Sequence, residues 1–295
     1  MLDENLRPTP QSFLEKTEDP KEAAYVLFGA PLDATVSYRR GSRFAPAAIR
    51  RESQYLESYS VRTGLNWDDL SLADAGDLVC GDLGGALTQI EELVKKLYEL
   101  GKVSVILGGE HTVTLGALRA LKPETVIVFD AHLDLRDTLF DEKLFHATYM
   151  RRAYEELGFK LVVLGARALS SEELGFAEGE DRIKVVTARE LASKGVQYGL
   201  KVVSEALKGA SSAYMSIDMD VVDPSQAPAV GNPSPEGLNV TDLLDLVGGF
   251  VDKRFVGFDL TEVSPFYDSG LTSVQAAYIV LETLYSFEAA RRRRP

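Results

Sequence analysis

The sequence predicts a single α/β domain, three layers deep, with helices on both sides of a central parallel sheet. Two patterns carry this expectation. Short runs that are apolar throughout recur along the chain, and amphipathic helical patterns separate them. A strand covered on both faces has no reason to alternate polar with apolar residues, so continuous apolar runs mark a parallel sheet buried on both sides. Strand, helix and strand repeated along the length make a doubly wound domain. In addition, no linker rich in Pro, Gly or Ser, no internal repeat and no low-complexity tract divides the 295 residues into separate cores.

The expected strands are residues 24–29, 103–107, 126–129, 161–164, 183–186, 213–217 and 255–258, each rich in Val, Ile, Leu or Phe. Between them, residues 87–99 place Ile90, Leu93, Val94 and Leu97 at helical spacing, and Gly101 follows where a helix ends. Similar patterns mark helices at 147–157, 188–191, 199–207, 240–250, with Asn239 or Thr241 as its cap, and 275–284. Residues 1–20 carry three prolines and many charges and are expected as an arm without a core of its own. The domain then spans 21–290, and 291–295, four arginines and a proline, form a solvated basic tail.

Composition narrows the function classes. Lys and Arg number 32 against 45 Asp and Glu, a net charge of −13, which repels nucleic-acid phosphates and anionic lipid surfaces. The sequence has no apolar run of about 18 residues to span a bilayer, and its start lacks the order of a signal peptide, so the expected location is cytoplasmic. The lone cysteine, Cys80, has no partner and is expected to be packing. Three histidines, His111, His132 and His146, are the whole complement and lie close together in the chain.

The strongest chemical signal is Asp130-Ala-His132-Leu-Asp134, directly after an apolar run. In an extended chain, side chains alternate faces, so Asp130, His132 and Asp134 project to one side. They do so at the carboxyl end of a strand, where open parallel sheets place their ligand crevice. Asp218 and Asp220 repeat the pattern after the run at 213–217. A single such pair is equally well read as a turn or cap; two of them would repel one another and take up protons unless compensated. Gly108-Gly109-Glu110-His111 closes a third run. Without a following Lys-Ser/Thr it is no phosphate loop, and the glycines are expected to turn the chain and aim His111 into the crevice.

Four carboxylates, Asp130, Asp134, Asp218 and Asp220, balance the charge of two divalent cations. Carboxylate-rich ligation with some imidazole and no thiolate suits Mn²⁺, with Fe, Co or Zn as alternatives. Two such ions can share and activate one water, giving a bridging hydroxide nucleophile.

These residues resemble the ureohydrolases, the arginase and agmatinase family. The resemblance runs from Gly29-Ala-Pro-Leu-Asp33 and Arg40-Gly-Ser-Arg-Phe-Ala-Pro-Ala-Ala-Ile-Arg50, through the three motifs above and Phe145-His146-Ala-Thr-Tyr-Met-Arg-Arg152. It closes at Gly257-Phe-Asp-Leu-Thr-Glu-Val-Ser-Pro-Phe-Tyr-Asp268. It implies an eight-stranded parallel sheet, a trimer or hexamer, and two Mn²⁺ per chain. One ion would be bound by His111, Asp130, Asp134 and Asp218, the other by His132, Asp130, Asp218 and Asp220. It also implies that His146 is a proton shuttle and that Glu262 holds a guanidinium. His146, Glu262 and Asp134 are the candidate catalytic residues, and Glu262, His146 and Asp137 the candidate substrate contacts. Two departures from the family pattern stand out: Ala147 follows the shuttle where the family usually has Gly, and Val230 and Asn232 stand near the position of the family's Gly-Thr-Gly-Thr-Pro stretch.

The loop 135–145 lacks the Asn and Ser with which arginases hold an α-carboxylate, and carries Asp137, Asp141 and Glu142. This favours agmatine, split to putrescine and urea. Arg136, a potential carboxylate partner, keeps guanidinobutyrase or arginase activity as alternatives. Two other classes remain: a non-catalytic metal- or polyamine-binding module of the same fold, and a metal-free two-carboxylate hydrolase such as a glycosidase.

Overall fold

The computed structural model describes residues 3–16 and 18–293. Among these, nine strands form one sheet: β1 (Leu6–Arg7), β2 (Tyr25–Ala30), β3 (Leu72–Leu78), β4 (Val103–Gly108), β5 (Thr125–Phe129), β6 (Lys160–Ala166), β7 (Ile183–Thr187), β8 (Ala213–Asp218) and β9 (Phe255–Thr261). Their spatial order is β1-β3-β2-β4-β9-β8-β5-β6-β7. Strands β2 to β9 are mutually parallel, the eight that the family resemblance implies, and the two-residue β1 adds an antiparallel edge.

Nine α-helices cover the sheet among the described residues. Helices α1 (Ala45–Ser53), α6 (Ala188–Lys194), α7 (Val196–Ala206), α8 (Val240–Phe250) and α9 (Leu271–Arg292) pack on one face, and α2 (Leu83–Glu99), α3 (Val113–Leu121), α4 (Tyr149–Leu157) and α5 (Ser171–Glu178) on the other. The strands divide their side chains between the two layers with period two. Leu27, Val105 and Ile127 join the first core, while Val26, Phe28, Ile106 and Val128 join the second. Both cores are dry, which is why these strands read as apolar throughout.

Strand β3 is the one parallel strand that hydropathy does not reveal. Its sequence, Leu-Ala-Asp-Ala-Gly-Asp-Leu, puts two carboxylates in the sheet. Arg50 compensates them: Nε and Nη2 donate to Asp74 at 2.7 and 2.9 Å, Nη1 to Asp77 at 2.5 Å, and Nη2 also to the Gly76 carbonyl. Asp74 further accepts from the Phe13 amide at 2.7 Å, and Phe13 is itself fully buried. The described part of the expected arm, residues 3–16, is therefore fastened to the sheet edge by β1 and by Phe13 and Leu14 in the main core. At the other end α9 continues into the expected tail as far as Arg292, which pairs with Asp69 and Glu288, whereas Arg294 lies outside the described residues.

Consecutive strands β4 and β5 are separated by β9 and β8, which the chain adds later. This is the switch point of a doubly wound sheet, where the loops leaving neighbouring strands diverge and open a crevice. His111 follows β4, Glu262 follows β9, Asp218 ends β8 and Asp130 follows β5. Four adjacent strands thus deliver their chain ends to one place.

Arg50→Met leaves the buried Asp74 side chain and the partly exposed Asp77 without a counter-ion, so urea unfolding should show a loss of about 3–5 kcal/mol. A change below about 1 kcal/mol would contradict the structural role given to Arg50.

Candidate metal centre and catalytic site

Three tight contacts explain why His111 points into the crevice. A Cβ on Gly109 would sit 1.9 Å from the Leu32 carbonyl oxygen, so only glycine lets the turn after β4 press against residue 32. The Glu110 amide donates to that carbonyl at 2.7 Å. The His111 amide donates to Glu262 Oε1 at 2.8 Å, and the Glu262 amide returns a bond to the Gly109 carbonyl. The ends of β4 and β9 are therefore stitched together at His111 and Glu262.

The His111 ring is oriented from behind. Nε2 lies 2.8 Å from Ser216 Oγ, and that hydroxyl donates to Asp259 at 2.5 Å. With its hydrogen committed to Asp259, the hydroxyl receives Nε2–H, which leaves Nδ1 as the nitrogen facing the crevice. Asp259 is fully buried and also accepts from Tyr214 and Thr114. Nδ1 has no hydrogen-bond partner although it is buried, and carboxylate oxygens of Asp130, Asp134 and Asp218 stand 3.2, 3.4 and 3.2 Å away. An imidazole nitrogen ringed by carboxylates without a hydrogen bond to any of them, and backed by a hydroxyl-carboxylate relay, is the donor arrangement of a metal site.

A second group adjoins the first. His132 Nδ1 lies 2.9 Å from Asp220 and 3.5 Å from Asp130, on the oxygen that does not face His111. Asp130 thus has one oxygen toward each histidine. The ligand atoms of His111, Asp130 and Asp134 fit around one cation, and those of Asp130, His132 and Asp220 around another. Of the six ligands expected from the sequence, five fall in these two groups and the sixth, Asp218, faces His111; simple alternation does not bring them together. The chain leaves the strand after Phe129, and Asp134 takes a left-handed conformation at φ 53° that turns its carboxylate back toward His111. Such a conformation is uncommon for a residue other than glycine and is concentrated at functional sites.

The electrostatics report the same crowding. Burial and the neighbouring Asp130 charge push Asp134 up to about 7, and burial with repulsion from Asp220 and Asp130 raises Asp218 well above the usual carboxylate range. Burial opposes charge on His132 and His111, yet the facing carboxylates raise both. Burial and the Glu110 charge push Glu262 up to about 8. The cluster draws in positive charge, as protons when nothing else is at hand.

His146 lies beside this centre, buried, with Nε2 3.0 Å from Ser37 Oγ and its amide donating to Thr35 Oγ1 at 2.9 Å. Burial, and then the positive field of His132 and His111, lower it to about 4. Thr35 in turn donates its hydroxyl and amide to Glu110, whose carboxylate is fully buried. Glu110, Thr35, Ser37, Ser216 and Asp259 were not singled out from the sequence. Ser216 had a readable signal, since it stands two residues before Asp218 on the same strand face.

Glu262 has φ 66° and gives Oε1 to His111, while Oε2 has no hydrogen bond among the described residues. The altered segment around Val230 and Asn232 lines its flank: Val230 bridges Val263, and a Cβ on Gly231 would be 3.0 Å from Oε2. Asp137 is placed differently from its expected role. Its half-exposed carboxylate accepts from Arg152 at 2.9 Å, which holds it below the usual carboxylate range, and it makes no contact with the cluster among the described residues. Arg136 faces Glu173 at 3.6 Å.

Residues 23–285 match the model of the arginase family. The structure superposes on the agmatine ureohydrolase of Thermoplasma volcanium with a TM-score of 0.87 at 35% identity, covering 96% of each chain. It superposes on the proclavaminate amidinohydrolase of Streptomyces clavuligerus at 0.89 and 33% identity, covering 96% of this chain and 98% of that one. The guanidinobutyrase of Pseudomonas aeruginosa is 35% identical over 288 residues, 93% of this chain and 89% of that protein. The chain belongs to the arginase family and is a hydrolase of carbon–nitrogen bonds.

Proposed function

We propose that the chain is a ureohydrolase that uses two divalent cations, Mn²⁺ being the expected metal, to split agmatine into urea and putrescine. The observation that carries the reading is the sharing of Asp130 between two histidine-carboxylate groups, beside a glutamate with one free oxygen. His111, Asp134 and the shared Asp130 and Asp218 would hold one cation, and His132, Asp220 and the same shared pair the other. When bound, these cations supply Lewis-acid chemistry and a nucleophile at neutral pH.

The protein's own groups supply the rest. A guanidinium carbon is a poor electrophile because its charge is delocalised, so orientation and protonation of the departing amine matter as much as the nucleophile. Glu262 Oε2 accepts a guanidinium N–H and fixes the carbon over the crevice, and the substrate's charge favours ionised Glu262. His146, neutral at pH 7, can take a proton at Nε2 and pass it to the leaving amine, with Ser37 holding the ring between transfers.

For the distal end of the substrate, the loop after β5 offers no unpaired arginine as a carboxylate receptor among the described residues, and its exposed Lys143 is the one cation there without an ion pair. Arg136 is committed to Glu173, and Arg151 and Arg152 face Asp137. This supports an amine end over an acid end. Exposed Arg40, on the loop that carries Ser37, makes 4-guanidinobutyrate the deciding competitor.

Two outcomes are expected. Urea release by the Mn²⁺-loaded protein should have a higher kcat/KM for agmatine than for 4-guanidinobutyrate or arginine, and Glu262→Gln should lower that kcat/KM by about 100-fold or more by removing a charge-assisted contact. Preference for guanidinobutyrate would replace the substrate, and no urea from any guanidino compound would refute the reading.

The second outcome concerns pH. Asp134 and Glu262 are acids raised in the folded state to about 7 and about 8, so the folded chain binds more protons than the unfolded one between about pH 4 and 8, and stability falls as pH rises there. The raised histidines act in the same direction above about pH 6.5. The metal-free Tm should therefore drop by several degrees between about pH 5 and 9, with Mn²⁺ restoring it at the upper end and doing little at the lower. A Tm that rises over this range, or equal Mn²⁺ stabilisation at both ends, would contradict the assignment.

A further inference from the structure

Arg167, the residue after β6, uses all five of its guanidinium N–H donors on main-chain carbonyls. Nε donates to Pro235 at 2.9 Å, Nη1 to Gly165 at 3.3 Å and Val221 at 3.2 Å, and Nη2 to Asp220 at 2.7 Å and Ser234 at 2.8 Å. No carboxylate lies within ion-pair distance of it among the described residues, although a charged group with that exposure ordinarily takes one. Its backbone joins the same knot: the Arg167 and Ala168 amides donate to the Ala131 carbonyl at 2.8 and 2.9 Å.

The carbonyls chosen are informative. Ala131 lies between Asp130 and His132, and its amide donates to Asp220 Oδ1 at 3.1 Å. Asp220 holds its other oxygen 2.9 Å from His132 Nδ1. Residues 234–235 belong to the loop that closes over this corner, where a Cβ on Gly237 would lie 2.8 Å from Arg167 Nη2 and 2.5 Å from the Asp223 amide. The Arg167 side chain therefore ties the segments at 220–221 and 234–235 to the end of β6, and the neighbouring backbone amides hold residue 131, so three loops meet here around the His132 and Asp220 half of the centre. The His111 half is held by other means, through Ser216 and Asp259.

We infer that Arg167 is a positioning residue that sets the affinity of the His132–Asp220 cation site independently of the His111–Asp134 site. The inference rests on the two-cation reading above. Loss of the guanidinium frees five carbonyls and releases the segments at 220–221 and 234–235 from the end of β6, while the backbone bonds to Ala131 persist, so the 2.9 Å spacing of Asp220 and His132 is less firmly enforced. Arg167 does not touch the ligand atoms; it acts through the chain that carries them.

The test is Mn²⁺ titration of the full-length wild type, Arg167→Met and Arg167→Lys by calorimetry, with metal content measured after dialysis and folding checked by circular dichroism. Wild type should hold two Mn²⁺. Arg167→Met should keep one at unchanged affinity and bind the second about 10–100-fold more weakly, the usual cost of losing outer support at a metal site. Arg167→Lys, which keeps the charge and at most three donors, should fall between them and serves if the methionine variant does not fold. Two unchanged sites in folded variants, or equal weakening of both, would overturn the role of Arg167 while leaving the centre in place. Failure of the wild type to bind Mn²⁺ would instead overturn the two-cation reading itself.

Discussion

Asp130, Asp134, Asp218 and Asp220 share one buried crevice with two imidazoles, and the repulsion among these carboxylates is the constraint on which the rest of the structure turns. Desolvated acids this close cannot all be ionised without a positive partner. The fold therefore holds the groups apart from one another's donors while keeping them aimed at common points. The ring of His111 faces three carboxylate oxygens without bonding to any, and its other nitrogen is anchored to Ser216. Such an arrangement has a cost in stability that bound protons or a cation offset, and proteins accept costs of that kind at functional sites.

The doubly wound sheet makes the arrangement possible. Because β9 and β8 fill the gap between β4 and β5, four neighbouring strands end at one crevice, one delivering an imidazole and three a carboxylate. Support comes from beneath and from the side. Tyr214, Ser216 and Asp218 lie along one face of β8, so a single strand supplies a ligand and part of the polar column behind another. The Glu110 carboxylate ties down the loop of Thr35 and Ser37, which in turn brackets His146. The centre is therefore carried by strand ends, and His146, the proposed proton carrier, is bracketed by a loop.

Much of this was legible in the sequence where a physical pattern is local. The continuous apolar runs mark seven of the eight parallel strands, and the ligand spacings mark all six expected metal-binding residues. Strand β3 escaped because Asp74 and Asp77 break its hydropathy, and their partner Arg50 stands far away in the chain. Helix α3 escaped because it is buried almost all round and so lacks an amphipathic stripe. Period-two alternation pointed to Asp130, His132 and Asp134 after β5, but Asp134 reaches the crevice through a left-handed turn that no alternation rule contains. The acidic mouth read from Asp137 is closed off by Arg152, a long-range pairing invisible to composition. Arg167 was silent for a similar reason: its partners are carbonyls, which carry no residue identity.

The most direct measurement of the central claim is anomalous scattering at the manganese edge from crystals grown with Mn²⁺. The account predicts two peaks about 3.5–4 Å apart, one among His111, Asp130, Asp134 and Asp218 and the other among His132, Asp130, Asp218 and Asp220. An empty crevice, or manganese only elsewhere on the molecule, would contradict it.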